Sequence, residues 1–341
     1  MTRQPTDFAR HLSGYFINHL AGEMGVSENT IASRRTSFTL LIEYCKQMEG
    51  IATRDITIQT LDRDLICRFL GWLENERDNC ISTRNIRLDA VKTFFAYLQA
   101  VAPEHLLQCQ QVLAIPRKKT QRETVSWLAR EAVSALFHGI ESSTYGGLRD
   151  LALLMLLYDS AARVSELAET RIKDLRTDDP ACVCLFGKGR KERNVPLMSG
   201  TVGIVEKYLA QRDRRAPCTR DDFLFVNRSG RKLTRGGITH ILKKHCEIAM
   251  ERSPESGIRI ITPHQLRHSK AVHMLQGGIP LIYIRDFLGH VEVSTTEIYA
   301  RCEASAVREA LEKSGRIEVE VDEPVWQRDG DMLRWLESLS E

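Results

Sequence analysis

The sequence predicts a mainly α-helical protein of two domains carrying one small β-hairpin or sheet. Helical spacing of apolar residues fills residues 7 to 112, a basic proline-bearing stretch interrupts it at Ile115 to Arg122, and strand-like alternation occurs only around Cys182 to Leu197. The length of 341 residues suits two domains with a short appendage and allows a sizeable core.

Taken in order, Ser27-Glu-Asn-Thr30 precedes an amphipathic run to Cys45, with Ile31, Phe38, Leu41, Ile42 and Cys45 at helical spacing. A second run, Asp62 to Glu76, puts Leu65, Phe69, Trp72 and Leu73 on one face. A third opens at Ser82-Thr83 and carries Ile86, Ala90, Phe94, Tyr97 and Leu98, with Arg84, Arg87 and Lys92 on its other side. A helical module with one basic face suits DNA, and a solvated scaffold face fits the same pattern equally well. Arg117-Lys-Lys119 lies in the basic linker, where a strap crossing phosphates would need cations.

Beyond the linker, Trp127-Leu128 and Glu131 to Phe137 open the second domain. Leu148 to Asp159 is an apolar helix buried on most sides, a break follows at Ser160-Ala161, and a short helix starts at Val164. Cys182-Val-Cys-Leu-Phe186 and Arg193-Asn-Val-Pro-Leu197 flank the turn residues Gly187 to Lys191, which makes a hairpin. Helices fill the rest, one opened by Pro280 and closed by Gly289, with Tyr283 in its middle expected in the core.

Composition narrows the function. The chain is 43% apolar and 27% charged, as a globular protein is, and has no apolar run of membrane-spanning length. Met1-Thr-Arg-Gln-Pro5 lacks an apolar h-region, so a cytoplasmic location is expected. The nine cysteines form no Cys-x-x-Cys pair, and Cys182 and Cys184 read as packing thiols. From Arg316 onward three basic residues face eight acidic ones, so a tail of −5 leaves +8 on the rest of the +3 chain. Basic clusters at 188–193, 212–215 and 228–235 suit a phosphate backbone, while solvated surface loops account for any one of them alone.

The densest chemistry lies in Thr262-Pro-His-Gln-Leu-Arg-His268. His264, Arg267 and His268 stand at i, i+3 and i+4 and share a helix face. Thr262 is an N-cap and Pro263 a first helical residue, so backbone N–H groups of the first turn can meet an anion. Such a face is a poor core and a good phosphate pocket, with Leu266, Val272 and Leu275 on the buried side. Arg163 stands at the mouth of its helix, either as a salt-bridge partner of Glu166 or as a functional cation. Two arginines in one pocket can grip the non-bridging oxygens of a phosphodiester and stabilise transition-state charge. Zinc on His264, His268 and His290 is the alternative, opposed by the two arginines and Lys188 around it.

The ordered series Arg163, Lys188, His264-Gln-Leu-Arg267, His290 in Leu288-Gly-His290, and Tyr299 resembles the active site of tyrosine site-specific recombinases, the phage-integrase family. The likeness covers residues 10 to 305. It implies a helical core-binding domain at 1–114, a linker at 115–124, a catalytic domain of mixed α/β build at 125–315, and an acidic tail with a short helix at 316–341. It implies that Tyr299 attacks phosphorus to leave a 3′-phosphotyrosyl bond, needing no metal, cofactor or ATP. Lys188 then acts as general acid for the 5′ oxygen, with His264 and His290 on the scissile phosphate. The implied partners are double-stranded DNA, three further copies in a tetramer on two sites, and other recombinases or DNA-bending proteins. Arg34, Arg35, Arg84, Arg87, Lys92, Arg117, Lys118 and Lys119 are the expected DNA contacts. Ala162 and Lys270 depart from the Xer pattern, where glycine and an aromatic residue are common, and with the acidic tail point towards integrases of mobile elements. A type IB topoisomerase would use the same residues, and a binding-only protein would keep the fold without needing them.

Overall fold

Two large hydrophobic cores, each built from its own stretch of sequence, define the architecture. Among the described residues a smaller cluster of Ala161, Ala271, Val272, Ile284 and Leu288 accompanies them. A computed structural model describes residues 5–120, 126–187, 191–289 and 336–339. The chain divides into Met1–Glu123 and Thr124–Glu341.

In the first unit, α1 (Asp7–Gly14) is capped by the Thr6 hydroxyl and widens into a π-helical stretch, Tyr15–Glu23. Next come α2 (Glu28–Gln47), α3 (Arg63–Asn75), α4 (Ile81–Val101) and α5 (Leu106–Leu113). Ser27 and Asp62 cap α2 and α3, accepting from Thr30 N and Leu65 N. Phe94 centres the core, its ring 5.9, 5.4 and 5.3 Å from those of Phe8, Tyr15 and Phe38. Truncating such a ring to alanine costs about 3–5 kcal/mol.

The stripe that α4 buries is the expected one at Ala90, Phe94 and Leu98, but it is wider and shifted at its N-terminal end. Leu88, Val91, Phe95 and Leu98 face inward, and Arg84, one turn before Leu88, is drawn in with them at 6% exposure. Ile86 is 48% exposed instead. Arg84 is therefore no part of a basic outer face. Its Nε lies 3.2 Å from Glu74, and an Nη1 donates to Asn85 Oδ1 and the Pro116 carbonyl. Beside it the Asn85 amide exchanges two hydrogen bonds with the Lys118 backbone.

The second unit contains α6 (Arg130–His138), α7 (Tyr145–Asp159), α8 (Val164–Glu169), α9 (Ser199–Arg215), α10 (Arg235–Arg252), α11 (Pro263–Gln276) and α12 (Leu281–Leu288). Its apolar run makes α7 the central helix, packed against α9 and α11. The expected hairpin is β2 (Cys182–Phe186) and β3 (Glu192–Pro196), in antiparallel register with Val183 opposite Val195. A two-residue strand, β1 (Leu175–Arg176), adds to its edge and was too short to leave a sequence pattern. On α12 only Ile284 and Leu288 are buried, one turn apart. Tyr283 lies off that stripe and is 64% exposed, so it is not core. Among the described residues no helix is long and apolar enough to cross a membrane.

Candidate active site

The break after α7 sets the position of Arg163. Ser160 ends the helix by donating its hydroxyl to the Leu156 carbonyl, and Ala161 turns the chain at φ +44°. A left-handed alanine costs about 1 kcal/mol, so neighbouring bonds must impose it. Arg163 then becomes the N-cap of α8, its backbone N–H donating to Glu166 Oε2 at 2.9 Å. Its Nη1 donates to Glu166 Oε1 at 2.7 Å, and its side chain stays 37% exposed. The expected salt bridge with Glu166 is therefore present, and the Arg163 side chain also reaches the surface.

Glu166 is a hub. Arg193 of β3 donates to it from Nη1 (3.1 Å) and Nη2 (2.7 Å), and sends Nε to the Phe287 carbonyl at the end of α12 (3.2 Å). Burial would raise the Glu166 carboxyl, but hydrogen bonds from Arg193 and from the Arg163 backbone outweigh it and hold its pKa below the usual value. One carboxylate thus binds α8 to the hairpin, and Arg193 carries the link on to α12. In the sequence Arg193 stands out only as the first residue of a hairpin strand, and its link to Glu166 is not visible there. A cation at a fixed offset after Gly187-Lys188 was the available signal.

Arg267 is drawn further in than a phosphate-facing residue was expected to be, at 1% exposure. Its Nη1 donates to the Ala161 carbonyl and its Nη2 to the Leu288 carbonyl, both at 2.6 Å. These bonds satisfy the buried guanidinium, fix the left-handed turn before Arg163, and anchor the C-terminus of α12. Gly289 follows at φ +65°, where a Cβ would lie 3.1 Å from Arg193 Cδ, so glycine fits both the backbone and the space.

Thr262 and Gln265 form a capping box that starts α11 with Pro263 at its first position. His264 is exposed, and its ring packs edge-on against that of His268 at 4.1 Å. Desolvation by its neighbours, then the charges of Arg267 and Arg163, hold the His264 pKa below the ordinary histidine value. A neutral imidazole beside two guanidiniums can accept a proton through one ring nitrogen and donate a hydrogen bond through the other. On the inner side of α11, Lys270 reaches Asp159 at 2.9 Å and the Asp159 carboxylate also caps Met198 N. His273 hydrogen-bonds the Tyr158 hydroxyl at 2.7 Å, and burial, then Arg130, push it down to about 4.

The structure therefore brings Arg163, His264 and Arg267 together. Lys188, His290 and Tyr299 lie outside the described residues. So do Ala304 to Lys313. Of the expected DNA contacts, Arg35 and Lys119 are exposed and Lys92 is half-buried. Arg34 donates to the Tyr15 hydroxyl and Arg87 to Ser33 O and Ser37 Oγ, while Arg117 and Lys118 pair with Asp89 (3.4 Å) and Glu74 (2.7 Å). A groove of about 360 Å³ between α2 and α4 is lined by Asn29, Thr30, Ser33 and Arg34.

Residues 110–305 match the phage integrase family. Tyrosine recombinase XerD of Oceanobacillus iheyensis is 35% identical over 289 residues, 83% of this chain and 91% of that protein. Tyrosine recombinase XerC of Roseiflexus castenholzii is 34% identical over 288 residues, 83% and 86% of the two chains. The Tn1549 transposon integrase, solved with transposon right end DNA, shares the fold at a TM-score of 0.68 and 15% identity, over 90% of this chain and 99% of that one. With its sequence matched over more than half its length, and full-length relatives above 30% identity, the chain belongs to the phage integrase family and is a tyrosine recombinase.

Proposed function

We propose that this protein is a site-specific DNA recombinase that cuts and rejoins strands through a 3′-phosphotyrosyl intermediate, without metal or ATP. The observation carrying this reading is the clustering of Arg163, Arg267 and His264 around one helix break, with the guanidiniums held by Glu166 and by two carbonyls. Arg163 supplies the exposed half of a phosphate clamp, and Arg267, fixed from behind, the buried half. Neutral His264 shares a proton with a phosphate oxygen as charge develops. Tyr299 is the nucleophile, Lys188 protonates the 5′ leaving oxygen, and His290 orients the phosphate.

Residues 1–114 serve as the core-binding domain, with Arg35, Lys92 and Lys119 the better placed of the expected phosphate contacts. The enzyme works in the cytoplasm as a tetramer on two duplex sites of a mobile element, aided by other recombinases or DNA-bending proteins. Ala304 to Lys313 docks into a neighbouring copy.

The test is covalent trapping. The protein and its Tyr299→Phe variant are incubated with nicked DNA from the source, denatured in detergent, and the attached DNA is sequenced. Recurrent 3′-linked fragments with the unaltered protein alone are expected. Equal adducts with the variant, or none with either, would overturn the assignment. Supercoil relaxation by a monomer at unrelated sites would favour a topoisomerase instead.

A further inference from the structure

The largest cavity among those described lies far from this site. It is a cleft of about 1070 Å³ between the N-terminus of α7, the C-terminus of α9, the loop that follows it, and α10. The part of α7 beyond Asp150 separates its floor from the helix break before Arg163 by roughly 14 Å at 1.5 Å per residue. Six cationic side chains line it against three carboxylates. Like charges crowded into one concavity repel each other and favour a bound counterion.

Two of the cations are held in place by groups that do not neutralise them. Arg215 stacks on the Tyr145 ring, its Cζ 4.3 Å from the centroid. Arg252 donates to the Gly139 carbonyl at 3.1 Å. Arg228 and Lys244 stand exposed on the walls. On the floor, the Asp150 carboxylate is engaged internally: Oδ1 takes Arg149 Nε and Nη2 at 3.0 and 2.6 Å, and Oδ2 takes His245 Nε2 at 3.0 Å. Asp150 therefore offsets Arg149 and leaves the walls positive. His245 is 5% exposed, and its Nδ1 has no hydrogen-bond partner among the described residues.

We propose that this cleft binds a small, multiply charged phosphate ligand, separately from the strand-cleaving pocket. Guanidiniums match phosphate oxygens in paired hydrogen bonds, and several in one cleft suit several linked phosphates. A concave site enclosing its ligand suits a compact anion better than the convex backbone of a duplex. The void is large enough for a cofactor-sized molecule.

The test uses the full chain and sodium tripolyphosphate at fixed ionic strength, followed by titration calorimetry. One-to-one saturable binding is expected, weakened at least about tenfold by the double variant Arg215→Glu, Lys244→Glu. Both positions are exposed, and an unchanged circular dichroism spectrum and melting curve would verify the fold. Duplex affinity and strand cleavage should stay within about twofold, on the scale where tenfold is 1.4 kcal/mol. No saturable heat, or binding that survives the charge reversal, would overturn the proposal. Equal losses for duplex DNA and tripolyphosphate would overturn it too, by making the cleft part of the duplex path.

Discussion

Arg84 and Arg267 are alike in everything a helical pattern can express, and differ in what they bond. Each sits on a helix, each is buried in the core of its own unit, and each ties distant backbone segments together. Arg84 finishes against a carboxylate, Glu74, which Lys118 also contacts. Arg267 donates to two backbone carbonyls, those of Ala161 and Leu288. Both bond sets fix a buried guanidinium, and the difference lies in where it is fixed: Arg84 beside the linker backbone at Pro116, Arg267 beside the helix break that carries Arg163.

The largest effect should come from Arg267→Lys, which keeps the charge and removes the planar fork. Strand cleavage in a suicide-substrate assay should fall about 100- to 1000-fold, comparable to losing one pre-organised transition-state donor. Wild-type cleavage by that variant would break the contrast. Arg84→Met should instead destabilise the first unit by about 3 kcal/mol in urea unfolding, by leaving Glu74 partly unpaired. Adding Glu74→Gln should restore much of that loss, with cleavage at saturating protein largely unaffected.

Two imidazoles sharpen the same contrast. The folded pKa of His273, about 4, lies below its unfolded value near 6.5, so the neutral form favours folding. Its contribution is whole above pH 6.5 and declines as the pH falls towards 4, amounting to about 3 kcal/mol. His273→Phe should flatten stability against pH in that window. His264→Gln should change the acid limb of the cleavage profile and leave that stability curve in place. The smallest effect belongs to Lys118→Ala: its pair with Glu74 is half exposed, so less than about 1 kcal/mol should be lost in thermal unfolding.

Much of the frame was legible because local chemistry determined it. Ser27, Asp62 and Thr262 cap the helices they precede, the Ser160-Ala161 break stands where the apolar run stops, and Gly289 closes α12. Spacing also brought His264 and His268 together. What escaped was long-range. Arg84 reads as polar, so its place on the α4 stripe, opposite a glutamate from α3, could not be seen from α4 alone. Tyr283 sits among apolar neighbours, but an eight-residue helix buries only a narrow stripe. The partnership of Arg193 with Glu166 spans 27 residues, and no periodicity reports it.

The Glu166 hub also constrains how this protein can change by inheritance. Glutamine at 166 would retain one acceptor oxygen and turn an NH₂ group towards guanidiniums that need acceptors, while losing Arg193 would leave a buried carboxylate short of a partner. Each single step should cost stability, although neither residue need touch the substrate. Positions 166 and 193 should therefore diverge between lineages as a unit, and a graft that moves the hairpin without its matching helix should carry the penalty of both.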